Sequence, residues 1–369
     1  MSSTLHIVCF DAPAPPDYGG AIDLYYKIEA LAKAGLQIKL HYFDYRLHRD
    51  LDAIKRLCSE VHTYSRKSVI RSISTGKPYI VASRINQDLI NKINNDSAPI
   101  LLEGIHCTGI SRYINPGKKI IVRVHNNEAT YYRNLALTEK SLLKKIYFKL
   151  ESHLLKIYQN SLENNCRYIC LSTADVEQFK RYLTNVSHIP CFIPWQEINC
   201  VPGKGEYCLY HGNLSVPENE KAAKWLATEV LPLTAGKLIV AGHKPSQHLK
   251  DILQALPQCQ LVEAPDDNKL EELIRHAHIN VLPSFNSTGV KLKVLHALFS
   301  GRFCLTNRAG IEGSGIEKGI NVAESGSDFA NSIKALLSKE FSEDDKNERM
   351  YLKMMYDNKA NAAQINALL

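Results

Sequence analysis

The 369-residue sequence contains ten cysteines but no C-x-x-C pair. Cys166 and Cys170 are spaced too widely for the common metal knuckles, so free thiols in a reducing compartment are expected and a zinc site is not. Long apolar runs are missing near the start. Leu5 to Phe10 ends at Asp11 after six residues, too short for a signal peptide or a membrane span, which makes the cytoplasm the expected location. Long basic runs are missing too, and a formal charge of +7 is modest for this length, so no nucleic-acid partner is expected. No internal repeat or low-complexity segment is present. A G-x-G-x-x-G fingerprint is absent after the first apolar run, where Asp11-Ala-Pro-Ala-Pro-Pro-Asp-Tyr-Gly-Gly stands instead, which argues against a nicotinamide cofactor.

What is present is an ordinary globular composition, 45% hydrophobic and 22% charged. The length suits two domains of about 150 to 200 residues each. Leu5 to Phe10 reads as a strand, and a helix from Ala21 to Ala34 stops at Gly35. Further strands are expected at Leu36 to Tyr42, Val61 to Tyr64, Pro99 to Leu102, Lys119 to Val124 and Arg167 to Leu171. With helices between most of them, the class is α/β with a parallel, doubly wound, Rossmann-like sheet. Patterning lapses between Ile189 and Gly205, where prolines and glycines gather. A second series follows: strand Tyr207 to His211, helix Glu218 to Thr228, strand Leu238 to Ala241, helix Ser246 to Ala255, strand Gln260 to Glu263 and helix Asp267 to Ala277. Another strand is expected around Cys304 and Leu305, and a helix from Asp328 to Leu337. The expected domains are therefore 1–195 and 203–343, with a closing helical stretch, 344–369, that packs back on the first.

The most informative stretch runs from Pro283 to Gly301. Strand Ile279 to Leu282 stops at Pro283, the small polar residues Ser284, Asn286, Ser287 and Thr288 follow, and Gly289 opens a helix that Gly301 closes. Most of that helix is apolar and should be buried, yet its first turn carries Lys291 and Lys293. The helix dipole already places about half a positive charge there, so two lysines imply a bound anion, with free backbone N–H groups and a glycine completing a phosphate site. On this register Lys293, His296 and Gly289 share one face and Lys291 reaches around from the other side. Two solvated lysines at a helix edge are the bland alternative. Gly19 and Gly20 also sit beyond a strand and at the start of a helix, where parallel sheets bind ligands, although only a tight turn strictly requires them.

A second polar concentration, His125, Asn126, Glu128, Tyr131 and Arg133, follows the Lys119 to Val124 strand and suggests a sugar-binding wall. From Ala129 to about Asn164 the pattern is helical and basic, with Arg133, Lys140, Lys144, Lys145, Lys149 and Lys156 interleaved with Leu142, Leu143, Tyr147, Phe148, Leu154 and Leu155. Two readings stay open for it: a solvated face, or a peripheral contact with an anionic membrane.

At this point the sequence resembles a known family. Tyr210-His-Gly-Asn-Leu-Ser, Pro217-Glu-Asn-Glu-Lys-Ala-Ala-Lys-Trp-Leu, Ile239-Val-Ala-Gly, Asn280-Val-Leu-Pro, Thr288-Gly-Val-Lys-Leu-Lys-Val-Leu and Gly310-Ile-Glu-Gly are similar, in order and spacing, to the C-terminal half of retaining family 4 glycosyltransferases. Asp17-Tyr-Gly-Gly and Arg123-Val-His-Asn-Asn-Glu resemble the N-terminal loops of the branch found in bacterial polysaccharide and glycan gene clusters. The resemblance implies the GT-B fold, two Rossmann-like domains facing each other across a cleft. It also implies transfer of a hexose-type sugar from a UDP- or GDP-linked donor to a glycan or lipid-linked saccharide, without a metal or other cofactor. By the same resemblance Gly19 and Gly20 would lie under the donor diphosphate. Lys291 and Lys293 would neutralise it, with Gly212, Asn213, Thr288 and Gly289 beside it, and His125 would touch the donor sugar. Glu128 is a candidate for orienting the acceptor hydroxyl or else a helix-terminus hydrogen bond, and Asp17, Asn126 and Tyr131 would border the acceptor.

Three positions depart from the family. His296 stands where a glutamate usually accepts from the ribose hydroxyls, Thr288 where many members have the first glutamate of an E-x7-E pair, and Asn213 where an arginine is common. His296 is then either a contact to one ribose hydroxyl or a core-facing residue satisfied by a backbone carbonyl. The same departures raise the alternative of a non-catalytic relative that binds a nucleotide sugar or glycan and supports a partner enzyme. A third reading, sugar-nucleotide epimerisation on the same fold, fits the acceptor-side loops less well.

Overall fold

A computed structural model describes residues 3–44, 49–68, 72, 76–139, 141–286 and 288–369. Lys140 and Ser287 lie outside the described residues. The chain divides into two compact units, 1–194 with 356–369, and 195–355.

The N-terminal unit is built on seven strands in the order β3-β2-β1-β4-β5-β6-β7, every pair parallel. They are β1 (Thr4–Cys9), β2 (Gln37–Asp44), β3 (Glu60–Ser65), β4 (Ile100–Glu103), β5 (Ile120–Val124), β6 (Arg167–Cys170) and β7 (Val186–His188). Strands β4 and β5 are buried at every residue, as strands covered on both faces must be, which is why residues 100–102 and 120–122 read as apolar runs. One apolar layer holds Leu24, Ile28 and Leu31 of the Gly19–Lys33 helix with Ile7, Ile38 and Leu101, while Val8, Leu102 and Val122 face the other. A polar line crosses β1 to β3. His6 Nδ1 lies 2.9 Å from His41 Nε2, His41 Nδ1 lies 3.0 Å from the Tyr64 hydroxyl, and His6 Nε2 meets Asp96 at 3.1 Å.

The C-terminal unit has six parallel strands in the order β10-β9-β8-β11-β12-β13: β8 (Cys208–His211), β9 (Leu238–Gly242), β10 (Cys259–Glu263), β11 (Ile279–Val281), β12 (Phe303–Thr306) and β13 (Asn321–Val322). Strands β7 and β13 were not expected, and three helical stretches run differently from expectation. The basic helical stretch is two helices, Glu128–Thr138 and Leu142–Asn160. The closing stretch is three, Glu343–Asn347, Met350–Met355 and Asn358–Asn366, the last restarted by Asp357, whose carboxylate accepts from Ala360 N at 2.8 Å. Only that last helix belongs to the N-terminal unit, where Ala362 and Ile365 join the layer of Leu24 and Ile28 and Asn358 exchanges two hydrogen bonds with the Ile193 backbone. Third, the helix after β11 begins at Leu292, not at Gly289. Asn286 Oδ1 accepts from Thr288 N at 2.9 Å and Thr288 Oγ1 at 2.8 Å, and Gly289 takes φ +72, a left-handed conformation that suits glycine and keeps the chain out of the helix. Among the described residues no helix is long and apolar enough to cross a membrane.

Candidate functional site

In each sheet the chain runs outward in both directions from one central pair of strands, β8 and β11 in the C-terminal unit and β1 and β4 in the N-terminal one. The carboxyl ends of such pairs are where open parallel sheets take ligands.

Beyond β11, Lys291 is the N-cap residue of the Leu292–Ser300 helix and Lys293 lies in its first turn. The Lys291 ammonium donates to the Thr288 carbonyl. The Lys293 ammonium donates to the Tyr210 hydroxyl at 3.2 Å and to Asn219 Oδ1 at 3.1 Å, and lies 4.8 Å from the Tyr210 ring centroid. Neither lysine has a carboxylate within ion-pair distance among the described residues. Burial therefore lowers both, and pushes Lys293 down to about 8, with Glu218 only partly offsetting the loss. Asn219 ties this corner to the end of β8: its Nδ2 donates to the Asn213 carbonyl at 3.0 Å, and a Cβ on Gly212 would sit 3.4 Å from its side chain. Gly212, Asn213, Thr288, Gly289, Lys291 and Lys293 thus come together as one group of loops. With Gly289 outside the helix, the shared face expected for Gly289, Lys293 and His296 reduces to Lys293 and His296.

His296 is not satisfied by a backbone carbonyl, one of the two roles expected of it. Its Nε2 is 2.6 Å from Glu271 Oε2 and its ring stacks on Trp195 at 4.2 Å between centroids, 19° from parallel. The partner is an acid, not a backbone carbonyl. His211, edge-on to His296, is buried with no partner for its Nε2 among the described residues, and burial, with His296 and Lys293 nearby, holds it well below the ordinary histidine range.

Beyond β1, β4 and β5 lies a charge cluster that the sequence reading missed. Lys27 donates to Glu103 Oε2 at 2.8 Å and to Asp23 Oδ2 at 3.1 Å, Arg123 grips Asp23 at 2.9 and 3.2 Å, and His125 Nε2 meets Glu103 Oε2 at 2.8 Å. All five side chains are buried. Burial opposes both acids, but Arg123 and Lys27 hold Asp23, and Lys27 and His125 hold Glu103, below the ordinary carboxylate range. Asp23, Glu103 and His125 offer ligand-type atoms within 4.8 Å of one another, yet the Lys27 ammonium already bridges the two acids. The cluster fixes His125 by one ring nitrogen, against the edge of Phe10 at 5.2 Å. Asp23 and Lys27 are spaced i, i+4 on a helix, a pattern that normally marks an exposed pair, and their partners lie 76 to 100 residues away.

Glu128 opens the Glu128–Thr138 helix but does not cap it; Asn127 does, accepting from Thr130 N at 2.9 Å. Glu128 is 4% exposed, and burial pushes its carboxyl up to about 8, the Asn126 side chain opposing by hydrogen bonding. It is therefore a protonated acid near neutral pH. Asn126 and Tyr131 stay partly exposed beside it. Asp17 is engaged by Arg49 at 2.8 and 3.2 Å. Gly19 and Gly20 form the first turn of the Gly19–Lys33 helix, and a Cβ on Gly20 would lie 2.9 Å from the Tyr18 ring.

Residues 205–339 match the family described as glycosyl transferases group 1. The sequence is 26% identical over 336 residues, 85% of each chain, to an uncharacterized 44.6 kDa protein in the cps region of Klebsiella pneumoniae. Its fold is similar to that of a TarM variant from S. aureus in complex with fondaparinux, α-GlcNAc-glycerol and UDP (10% identity, 99% of each chain, TM-score 0.65). It is also similar to HepE of Anabaena in complex with UDP and glucose (10% identity, 99% of this chain and 98% of that one, TM-score 0.62). These likenesses establish the GT-B type of fold, and the match to residues 205–339 supports glycosyl transfer.

Proposed function

We propose that the protein is a retaining, metal-independent glycosyltransferase that moves a hexose-type sugar from a UDP- or GDP-linked donor to a glycan or lipid-linked saccharide. The observation that carries this reading is the pair Lys291 and Lys293, two half-buried cations at the end of β11 with no acid within ion-pair distance among the described residues. A buried charge without a partner is costly, and a diphosphate would supply the missing one. As the nucleoside diphosphate departs, two ammonium groups and the loop N–H groups stabilise the charge it develops, the task a metal performs elsewhere. The UDP in the TarM and HepE complexes agrees with a uridine donor. On the N-terminal unit, His125, held by Glu103, would contact the donor sugar. Glu128, protonated at neutral pH, would hydrogen-bond the acceptor beside Asn126 and Tyr131. A thermal-shift comparison of UDP, GDP, ADP and CMP tests the donor class, because a ligand at 100 times its Kd stabilises by about 2.7 kcal/mol.

The non-catalytic reading keeps one observation in its favour. His296, which stands where the family has a glutamate, is paired with Glu271 and stacked on Trp195. Slow hydrolysis of the donor by the purified protein would reject it.

The Leu142–Asn160 helix is the candidate for peripheral contact with an anionic membrane. Leu142 and Leu143 are 70% and 81% exposed, and Ile146, Leu150 and Ile157 share that outward side with Lys149 and Lys156. None of the exposed residues of this helix is acidic. Flotation with vesicles containing anionic lipid should capture the protein at low salt and lose it at high salt; indifference to lipid charge would reject the contact.

A further inference from the structure

A separate opening lies within the N-terminal unit, a cavity of about 240 Å3 bordered by the Glu128–Thr138, Leu142–Asn160 and Thr173–Phe179 helices. At 100° per residue, Thr130 and Arg133 lie across the first of these helices from Glu128 and Tyr131, so the cavity is not the Glu128 side of the helix.

Its lining includes Arg133 and Lys156 and no carboxylate. Neither cation has an ion pair or a side-chain hydrogen bond among the described residues, and the side chains of Thr130, Asn160 and Gln178 are equally uncommitted. The wall behind them, by contrast, is fixed. Gln159 Oε1 accepts from Ala129 N at 2.9 Å, Ser152 Oγ donates to the Ala129 carbonyl at 2.7 Å, and Asn127 holds Thr130 N. A rigid polar wall with free donors and two unopposed positive charges is preorganised for a hydrophilic anion. The volume is just below the range of drug-sized sites, about 300–1,000 Å3, and suits a single sugar ring. Two cations would hold its charge, while the amides and the hydroxyl would meet its hydroxyl groups.

We propose that this cavity binds an anionic monosaccharide unit bearing a phosphate or a carboxylate. The site stands apart from the lysine pair of the C-terminal unit, so its failure would leave the diphosphate reading untouched.

Calorimetric titration of the full chain at low salt with glucose 1-phosphate, glucuronate, inorganic phosphate and glucose tests it. At least one of the two anionic sugars should bind saturably, and neutral glucose should not. Which of them binds identifies the anion. Arg133→Ala and Lys156→Ala should each weaken binding about tenfold, the double variant should abolish it, and Arg133→Lys should restore most of the affinity. Thermal unfolding of the variants should match the wild type, because both side chains are exposed and unpaired. Absence of saturable binding to about 10 mM, ten times a Kd of 1 mM, would overturn the site, as would unchanged binding in the double variant. Inorganic phosphate binding as tightly as glucose 1-phosphate would overturn its assignment to a sugar.

Discussion

The Lys293 ammonium rests 3.2 Å from the Tyr210 hydroxyl, over the ring of the same tyrosine, with Asn219 as its only other hydrogen-bond partner among the described residues. A helix's first turn thus holds a lysine by neutral groups alone. Tyr210 fixes the direction of the ammonium without neutralising it, since its own hydroxyl proton goes to the Asn219 carbonyl at 2.9 Å and burial raises its pKa further from ionisation.

Replacing Lys293 by alanine should cost about 1.5–3 kcal/mol of nucleoside diphosphate affinity, the worth of one hydrogen bond to a charged group, and Lys291→Ala should cost a similar amount. Affinity for the uncharged nucleoside should stay the same. Calorimetry with UDP and uridine checks both; equal losses for the two ligands would mean that the lysines shape the pocket and do not meet the phosphates.

The depressed pKa of Lys293 gives the same site a pH signature. In the free protein it loses its proton near pH 8, whereas an exposed lysine keeps it to about 10.4. A diphosphate favours the protonated form, so affinity should be level below pH 8 and then fall by up to about tenfold per pH unit. A flat profile from pH 7 to 9.5 would count against contact between Lys293 and the diphosphate.

Glu128→Gln separates proton handling from packing. The folded carboxyl titrates near 8 and the unfolded one near 4.3, so the unfolded state binds fewer protons between those values and stability drains away as pH rises through them. Glutamine, which keeps the shape of the protonated acid, should therefore raise stability at pH 8 by about 1–3 kcal/mol while lowering turnover. Chemical denaturation of both proteins checks the sign; a destabilised variant would mean that the carboxylate form is the one the fold needs.

The His6–His41 line has the opposite consequence. Burial lowers both histidines, His41 to about 2, while Asp96 only partly raises His6. The unfolded chain takes up these protons first, below about pH 6.5, so stability should fall as pH drops from 6.5 to 5, by up to about 1.4 kcal/mol per pH unit for each histidine. His41→Phe should reduce that slope. A slope unchanged from wild type would place acid sensitivity elsewhere.

Sequence patterning exposed the strands because parallel strands buried on both faces leave apolar runs, as at residues 7–10 and 120–122. Strand β13 escaped notice because it is two residues, Asn321–Val322, neither of them buried, and β7 is only three. Helix breaks were invisible where no glycine or proline marks them: the chain stops at Thr138 and restarts at Leu142, and Asp357 restarts the last helix by its side chain alone. Of the site, the lysines of the Pro283 to Gly301 stretch were legible since charge in an apolar helix turn is conspicuous locally. The Asp23–Lys27–Glu103–Arg123–His125 cluster was not, for its members meet only when two strands and a helix converge. Glu271 and Trp195 were missed as partners of His296 for the same reason.

The central claim is that Lys291 and Lys293 receive the diphosphate of a sugar donor whose sugar is transferred with retention. Proton NMR of the sugar released from α-linked UDP- and GDP-hexoses, followed from the first turnovers, tests it most directly. Wild type should release nucleoside diphosphate together with a sugar or glycoside that first appears in the α configuration, and the Lys291→Ala, Lys293→Ala double variant should release neither. A first-formed β product would contradict retention. Undiminished release by the double variant, or none by wild type from any of these donors, would contradict the assignment of the lysine pair and the function built on it.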